Sequence, residues 1–159
     1  MLTTPHYVVL DTNIVLEQID LVESEGLNNV IILSTVINEV KHRSSPVYKR
    51  LKDIIADKKR NFYVFINEHR KETYIERLAG ESPNDRNDRA IRVACKWYRG
   101  HLQEASDTKG LEVAMVTDDV KNRELGNEGG VKSFSLEAYV KGMKIFPDLI
   151  DKINRKEDS

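Results

Sequence analysis

Short runs of apolar residues recur along this chain, separated by stretches long enough to form helices. Residues 7–10, 30–33, 62–66 and 111–116 are such runs, and none alternates polar with apolar side chains. Strands that are apolar on both faces must be covered on both faces, and parallel pairing requires a crossover segment between consecutive strands. We therefore predict an α/β protein, doubly wound, with a central parallel sheet flanked by helices.

The intervals between these runs have helical periodicity. A stripe of apolar residues precedes the third strand, and a longer stripe follows the turn at residues 81–84; its members are Ile91, Ala94, Cys95, Tyr98 and Leu102. We expect Asn84 or Asp85 to cap that long helix. Residues 131–134, after a glycine-containing turn, add a further strand and bring the predicted sheet to about five strands.

The length of 159 residues fits one domain with a single core. We place this domain at residues 1–145 and interpret residues 146–159 as a C-terminal extension or linker. No apolar run approaches the roughly 20 residues that span a bilayer, and the first residues lack the features of a signal peptide, so we expect an intracellular protein without a membrane partner. The single cysteine, Cys95, excludes an internal disulfide and is interpreted as a core residue.

Charge is balanced over the whole chain but not along it. The formal net charge is −1, so no global field attracts nucleic acid. Residues 41–71 nevertheless contain ten Lys and Arg against three acids. Three interpretations of this segment remain open: solvated helix faces, a surface for a partner protein, or a surface for RNA.

Four acids follow the predicted strands or begin the predicted helices. Asp11 directly follows the first strand, and Asp119 directly follows the fourth together with Asp118. Glu39 lies about one helical turn after the second strand, and Asp88 is expected in the first turn of the long helix. Because ligands of an open parallel sheet bind at the carboxyl ends of its strands, where strand order reverses, all of these acids can share one crevice.

Each acid also has a local structural explanation. Asp11 can cap a helix, Glu39 can pair with Arg43, Asp88 can interact with the helix dipole, and Asp118 or Asp119 can lie in a turn. Together, carboxylates within roughly 4–6 Å repel one another unless a cation is present. Oxygen ligands favour Mg²⁺ or Mn²⁺, which bind phosphate and activate water, so phosphodiester hydrolysis is indicated. Receiver and phosphatase folds also place acids at strand ends and remain open at this point.

Four segments together resemble the PIN-domain nucleases. They are residues 8–13 (VVLDTN), 38–40 (NEV), 84–92 (NDRNDRAIR) and 116–119 (VTDD). Residues 45–50 (SPVYKR), 84–92 and 96–98 (KWY) are similar to one branch, the PIN domain of the catalytic subunit of the eukaryotic RNA exosome. The resemblance covers about residues 7–140 and implies a PIN-like (Rossmann-like) fold.

The resemblance implies a metal-dependent endoribonuclease that cuts single-stranded RNA with one or two Mn²⁺ or Mg²⁺ ions. It maps the family's acidic quartet onto Asp11, Glu39, Asp88 and Asp119. Asp85 is the alternative for the third place, but its expected role is the helix cap. The resemblance suggests three further site residues, which are Asn13, Thr117 and Asp118. Asp118 stands where relatives commonly have Asn, and either adds a ligand or substitutes for that Asn.

The resemblance also implies a setting for the domain. It implies a larger parent protein with further RNA-binding and exonuclease domains, exosome core subunits as partners, and a role in RNA processing and decay, including rRNA processing. The expected location is the nucleus, including the nucleolus, and the cytoplasm. Two functions therefore stand side by side: endonucleolytic cleavage, or a docking module that tethers the catalytic subunit with cleavage secondary.

Overall fold

A computed structural model describes residues 5–143 and residue 153, and within them strands and helices alternate. In chain order the elements are β1 (Tyr7–Leu10), α1 (Thr12–Glu17), α2 (Ile19–Val22), β2 (Val30–Leu33), α3 (Ser34–Arg43), α4 (Ser45–Ala56), β3 (Phe62–Phe65), a 3-10 helix (Asn67–His69), α5 (Pro83–Glu104), β4 (Val113–Val116), α6 (Val120–Glu128), β5 (Ser133–Phe134) and α7 (Leu136–Met143). The predicted α/β class is confirmed.

The described strands form one parallel sheet in the order β3-β2-β1-β4-β5. Val9 in β1 pairs with Ile31 of β2 on one side and with Met115 of β4 on the other. The chain therefore builds the sheet outward from β1 to β3 and then crosses back to place β4 beside β1. This reversal opens a crevice at the carboxyl ends of β1 and β4.

The middle of the sheet is fully buried, as its unbroken apolar strands predict. All four residues of β2 and of β4 have 0% exposure. Helices cover both faces, and α5 contributes Ile91, Ala94 and Cys95 to the core. Cys95 is 1% exposed, which confirms its interpretation as a core residue. Burial raises the pKa of its thiol to about 12, so it is a poor nucleophile.

Three strands are shorter than predicted, because their ends are held by turns rather than by neighbouring strands. The backbone at Ile66 bends into the 3-10 helix, so β3 ends at Phe65. The amide of Leu111 donates to the Thr108 carbonyl within a turn, so β4 begins at Val113. The amide of Val131 donates to the carbonyl of Gly126 at the end of α6, which restricts β5 to Ser133–Phe134.

The start of α5 corrects two predictions. Ser82, and not Asn84 or Asp85, is the N-cap: its Oγ accepts a hydrogen bond from the Asp85 amide at 3.0 Å, and Pro83 occupies the first helical position. Proline is well suited there because its ring presets a helical φ and it has no amide hydrogen to satisfy. Asp88 consequently lies in the second turn of α5 rather than in the first.

Helix α7 was not predicted, although it completes the core with Leu136, Tyr139 and Val140. The predicted extension at residues 146–159 lies outside the described residues, apart from Ile153, which packs against the core. No helix in the described part of the chain combines the length and apolarity needed to cross a membrane.

Candidate metal centre

The candidate site is formed at the carboxyl ends of β1 and β4, which are neighbours in the sheet. Leu10 pairs with Val116, and the amide of Asp11 donates to the Val116 carbonyl at 3.2 Å. The residues that directly follow these two strands are therefore brought together by backbone pairing alone. Adjacency of β1 and β4 was the condition on which the predicted meeting of Asp11 and Asp119 depended.

Asp11 is almost fully buried, with 3% exposure. Its Oδ1 accepts a hydrogen bond from the Ile14 amide at 2.9 Å and so caps α1, and the Thr117 side chain also hydrogen-bonds its carboxylate. Burial raises the pKa of Asp11 to about 6 against these hydrogen bonds, and the charges of Asp118 and Asp119 raise it further. A carboxylate has about four lone-pair sites, so capping does not exhaust its capacity to bind a ligand.

Glu39 is half-buried on α3 and is held by α1. Its Oε1 accepts a hydrogen bond from the Thr12 hydroxyl at 2.7 Å. Its suggested pairing with Arg43 is not the arrangement found, because Arg43 instead donates to Oδ1 of the exposed Asn13 at 3.0 Å. Asn13 thus joins α1 to the end of α3. Glu39 is oriented by a neutral hydroxyl and forms no ion pair with a residue in the described part of the chain.

Asp88 connects the four acids electrostatically. Its pKa is raised to about 7 by burial first, and then by the negative charges of Asp11, Asp119 and Glu39. The nearby charge of Arg92 acts in the opposite direction. Asp11 and Asp119 precede α1 and α6, and Glu39 lies in α3. Their carboxylates are all close enough to Asp88 on α5 to repel its negative charge.

The segment after β4 orients the remaining candidates. Asp119 is exposed and caps α6, because its Oδ1 accepts from the Asn122 amide at 2.8 Å, while its own amide donates to the Thr117 hydroxyl at 3.1 Å. Asp118 is exposed, and its Oδ1 accepts from the Leu136 amide at 3.0 Å, which ties this loop to the start of α7. Asp118 thus has a structural contact of the kind that an Asn side-chain oxygen could also make.

A cavity of about 230 Å³ opens beside these acids, and Asp88 and Asp119 line it. Its other lining residues on α5 and α6 are Asp85, Arg92, Lys121, Asn122 and Leu125, with Glu81 from the preceding turn. Asp11 and Glu39 are not among the lining residues. The cavity therefore provides space for a substrate next to the acids, with cations as well as carboxylates on its walls.

The donor set suits a hard divalent cation. It consists of carboxylate oxygens. Burial first, and the charges of neighbouring carboxylates second, raise the pKa values of Asp11 and Asp88, and a positive charge between them would favour their ionised forms. Within residues 5–143 no three His, Cys, Asp or Glu side chains are grouped as a preformed cage. Mg²⁺ and similar ions retain several waters and need only one or two direct carboxylates, so the residues present fit such an ion.

Behind the acids lies a hydrogen-bonded network that was not predicted. Arg86 on α5 donates to both oxygens of Glu68, at 2.6 and 2.7 Å, and Thr35 on α3 donates to the same carboxylate at 2.6 Å. The buried Asn67 adds bonds to Ser34 and Thr35. These contacts fasten the helices that carry Glu39 and Asp88 to each other, over separations in the chain that no local pattern reveals.

The segment of excess positive charge is not a single surface. Arg60 is buried and donates to the carbonyls of Val22, Glu23, Ser24 and Leu27, while Arg50 pairs with Asp20 and Glu23. Both residues fasten α2 to the rest of the fold. Part of the charge between residues 41 and 71 therefore has a structural role, and the remaining cations are distributed over α3, α4, the turn between α4 and β3, and the segment after β3.

Comparisons with known proteins agree with this architecture. The sequence model of the PIN domain family matches residues 8–137 of this chain. A solved structure, described as the structure of the T. brucei RRP44 PIN domain, matches with a TM-score of 0.78 and 27% sequence identity, covering 94% of this chain and 86% of that chain.

Curated relatives extend this similarity. The chain is 49% identical over 149 residues to the exosome complex exonuclease RRP44 of Homo sapiens and of Mus musculus, and 43% identical over 150 residues to RRP44 homolog A of Arabidopsis thaliana. These alignments cover 94% of this chain but only 15–16% of the relatives, so the chain spans about a sixth of their length. With its parallel sheet, its rim of acids and a family model that matches most of its length, this chain belongs to the PIN-domain family.

Proposed function

We propose that this domain is a metal-dependent endoribonuclease that hydrolyses phosphodiester bonds in single-stranded RNA. The observation that carries the proposal is the electrostatic convergence at Asp88, on which the carboxylates of Asp11, Asp119 and Glu39 all act. Such mutual repulsion destabilises the free protein, and a function that requires a cation accounts for its presence. The names of the curated relatives support a nuclease, since each is called an exonuclease of the exosome complex.

Asp11, Asp88 and Asp119 are the proposed ligands of one or two Mn²⁺ or Mg²⁺ ions. A bound ion of this kind supplies a water of lowered pKa and a counter-charge for phosphate oxygens. Asp11 and Asp119 are held in place by their capping bonds to Ile14 and Asn122, so little side-chain entropy is lost when they bind a ligand. Glu39, oriented by Thr12, either completes the ligand set or accepts a proton from the attacking water.

Internal cleavage is favoured over end-dependent cleavage by the position of the site. Asp118 and Asp119, which follow the carboxyl end of β4, are exposed. The middle of an RNA strand can therefore reach these acids without an RNA end having to pass through the protein. The proposed partners are single-stranded RNA and, through a larger parent protein, the exosome core in the nucleus and cytoplasm.

The test is cleavage of a circular single-stranded RNA, which has no end for an exonuclease. Wild-type protein in Mn²⁺ should linearise the circle, chelation should stop this, and Asp88→Asn should be at least about 100-fold slower because it removes a carboxylate ligand while keeping the shape of the side chain. Asp53→Asn on the exposed face of α4 makes the same charge change away from the site and is the matched control. Linearisation that survives in Asp88→Asn would show that the site is assigned wrongly.

A second function, docking, is favoured by a different observation. The edge strand β3 pairs only with β2 among the described strands, and it presents the exposed side chains of Tyr63 and Val64, followed by Ile66. Exposed apolar groups on a sheet edge are typical of protein-binding surfaces. If Asp88→Asn abolishes cleavage but retains binding to exosome core subunits, both functions stand. If wild-type protein binds these subunits and linearises no RNA, docking is the main function.

A further inference from the structure

Arg92 lies in the cavity beside two of the proposed metal ligands. It is on α5, one helical turn after Asp88, and lines the cavity together with Asp88 and Asp119. Its guanidinium forms no ion pair with any residue that the structure describes, although the other three arginines of α5 are paired: Arg86 with Glu68, Arg89 with Glu81 and Arg99 with Glu112. Its positive charge acts on Asp88 at a distance but is not neutralised by a direct ion pair with a described carboxylate.

A buried amide holds Arg92 in this position. Nη1 of Arg92 donates to Oδ1 of Asn122 at 2.5 Å, and the Asn122 backbone amide donates to Oδ1 of Asp119. Asn122 is 2% exposed, and its Nδ2 is buried without a hydrogen-bond partner among the described residues. A guanidinium can only donate, so the Asn122 oxygen must face Arg92 and its nitrogen must point elsewhere. A buried N–H without a hydrogen-bond partner destabilises a fold. The Asn122 side chain has this cost in the orientation in which its oxygen accepts the hydrogen bond from Arg92.

The chemistry of this arrangement matches a phosphate of the substrate. Arg92 is half-buried, so its charge is partly removed from water, and an arginine has five N–H donors in a planar fork that fits two phosphate oxygens. Among the residues that the structure describes, the guanidinium donates one hydrogen bond, to the neutral Asn122. We propose that Arg92 binds a backbone phosphate of the RNA strand next to the metal ligands, and that Asn122 is the positioning residue that aims it.

This inference rests on the proposed function and is tested first by cleavage kinetics. Arg92→Gln should reduce kcat/KM on linear single-stranded RNA by at least about tenfold, because a hydrogen bond to a charged group is lost. The kcat/KM of Arg92→Lys should lie between those of wild type and Arg92→Gln, since lysine keeps the positive charge but lacks the planar fork of N–H donors. Arg99→Gln removes the same charge from the same helix and is the matched control, although its ion pair with Glu112 is also lost. The rise in melting temperature caused by Mn²⁺ should persist in Arg92→Gln.

Binding separates the inference from catalysis. The probe is a fluorescein-labelled single-stranded oligouridylate in Ca²⁺, with affinity measured over a range of salt concentrations. Loss of one phosphate contact makes the negative slope of log K against log salt shallower by about 0.7 for a single strand. Arg92→Gln should therefore show this shallower slope, and Arg99→Gln should keep the slope of wild type. If wild type cleaves RNA but Arg92→Gln has unchanged slope and kcat/KM, the inference fails and the proposed function stands. If wild type does not cleave but the slope depends on Arg92, the inference stands and the proposed activity fails. If wild type neither cleaves nor binds, both are overturned.

The role of Asn122 has its own measurement. If Asn122 acts through Arg92, then Asn122→Ala should lower kcat/KM in the presence of Arg92 and have little further effect in Arg92→Gln. A merely structural role would instead lower activity by a similar factor in both backgrounds. Additive losses in the double variant would therefore overturn the positioning role while leaving the assignment of Arg92 in place.

Discussion

At the scale of single residues, Asp11 and Asp119 each combine a structural role with a proposed functional one. Asp11 caps α1, as its sequence context suggests, whereas Asp119, for which a role in a turn was suggested, caps α6. The same capping bonds orient both carboxylates near Asp88, where their charges raise its pKa. Capping and the proposed metal binding are thus compatible, because a cap uses only part of a carboxylate.

Mn²⁺ should stabilise the protein through these carboxylates. A ligand that binds only the folded state adds about 2.7 kcal/mol to the free energy of unfolding at a concentration of 100 times its Kd. Wild-type protein should therefore melt at a higher temperature in Mn²⁺, and the alanine variants of Asp11, Asp88 and Asp119 should lose most of this shift. Differential scanning calorimetry with and without chelator measures it. A shift of full size in all three variants would place the ion elsewhere.

Residues of the site differ in how far sequence alone could place them. Asp11 and Asp119 follow buried strands, so topology brings them together once β1 and β4 are neighbours. Arg92 could have been noticed as well, since it lies one turn from Asp88 and helical neighbours at that spacing share a face. The Glu68–Arg86 pair joins residues 18 apart across the irregular segment between the 3-10 helix and α5, and no periodicity predicts it.

At the scale of elements, the predicted strands and main helices form, and most of the errors concern their ends. Apolar periodicity reports burial, and burial continues past the last paired residue of a strand. Val131 is buried, yet it is held by the end of α6 and lies outside β5. The start of α5 was misplaced because Ser82, Asn84 and Asp85 are all good capping residues, and only the position of Pro83 favours the first of them.

The pair between Glu68 and Arg86 should link α5 to α3 in a pH-dependent way. The hydrogen bonds from Arg86, more than any other contact, hold the pKa of Glu68 below its usual value of 4.5, with Thr35 and the charge of His69 acting in the same direction and burial opposing them. Because the folded-state pKa is depressed, this stabilisation is present above pH 4.5 and is lost as the pH falls through the folded-state value.

Glu68→Gln should therefore lower the free energy of unfolding by about 1–3 kcal/mol near neutral pH, because Arg86 loses its charged acceptor in a largely buried position. The deficit relative to wild type should shrink as the pH is lowered below 4.5. Urea denaturation at several pH values measures it, with the exposed Glu76→Gln as the control. A deficit independent of pH would mean that the negative charge of Glu68 does not contribute to the free energy of unfolding.

At the scale of the whole molecule, one continuous core joins the sheet, α5 and α7. Leu136, Tyr139 and Val140 of α7 are buried at 0, 6 and 3% exposure, although the sequence around them was not recognised as a helix. Their burial places α7 inside the cooperative unit. The predicted domain boundary at residue 145 leaves α7 complete, whereas a boundary before residue 136 would remove part of the core.

Two truncations test this boundary. If residues 146–159 are an extension, as predicted, ending the chain at residue 145 should change the free energy of unfolding by no more than about 1–2 kcal/mol, the order expected for the partly buried Ile153. Ending it at residue 135 removes three buried side chains, each worth about 1.5–3 kcal/mol. Since small domains are stable by only about 5–15 kcal/mol, the shorter chain should be largely unfolded or should melt at a much lower temperature. Thermal unfolding followed by circular dichroism compares the two with the full chain. Equal losses in both truncations would show that residues 146–159 belong to the domain and are not an extension.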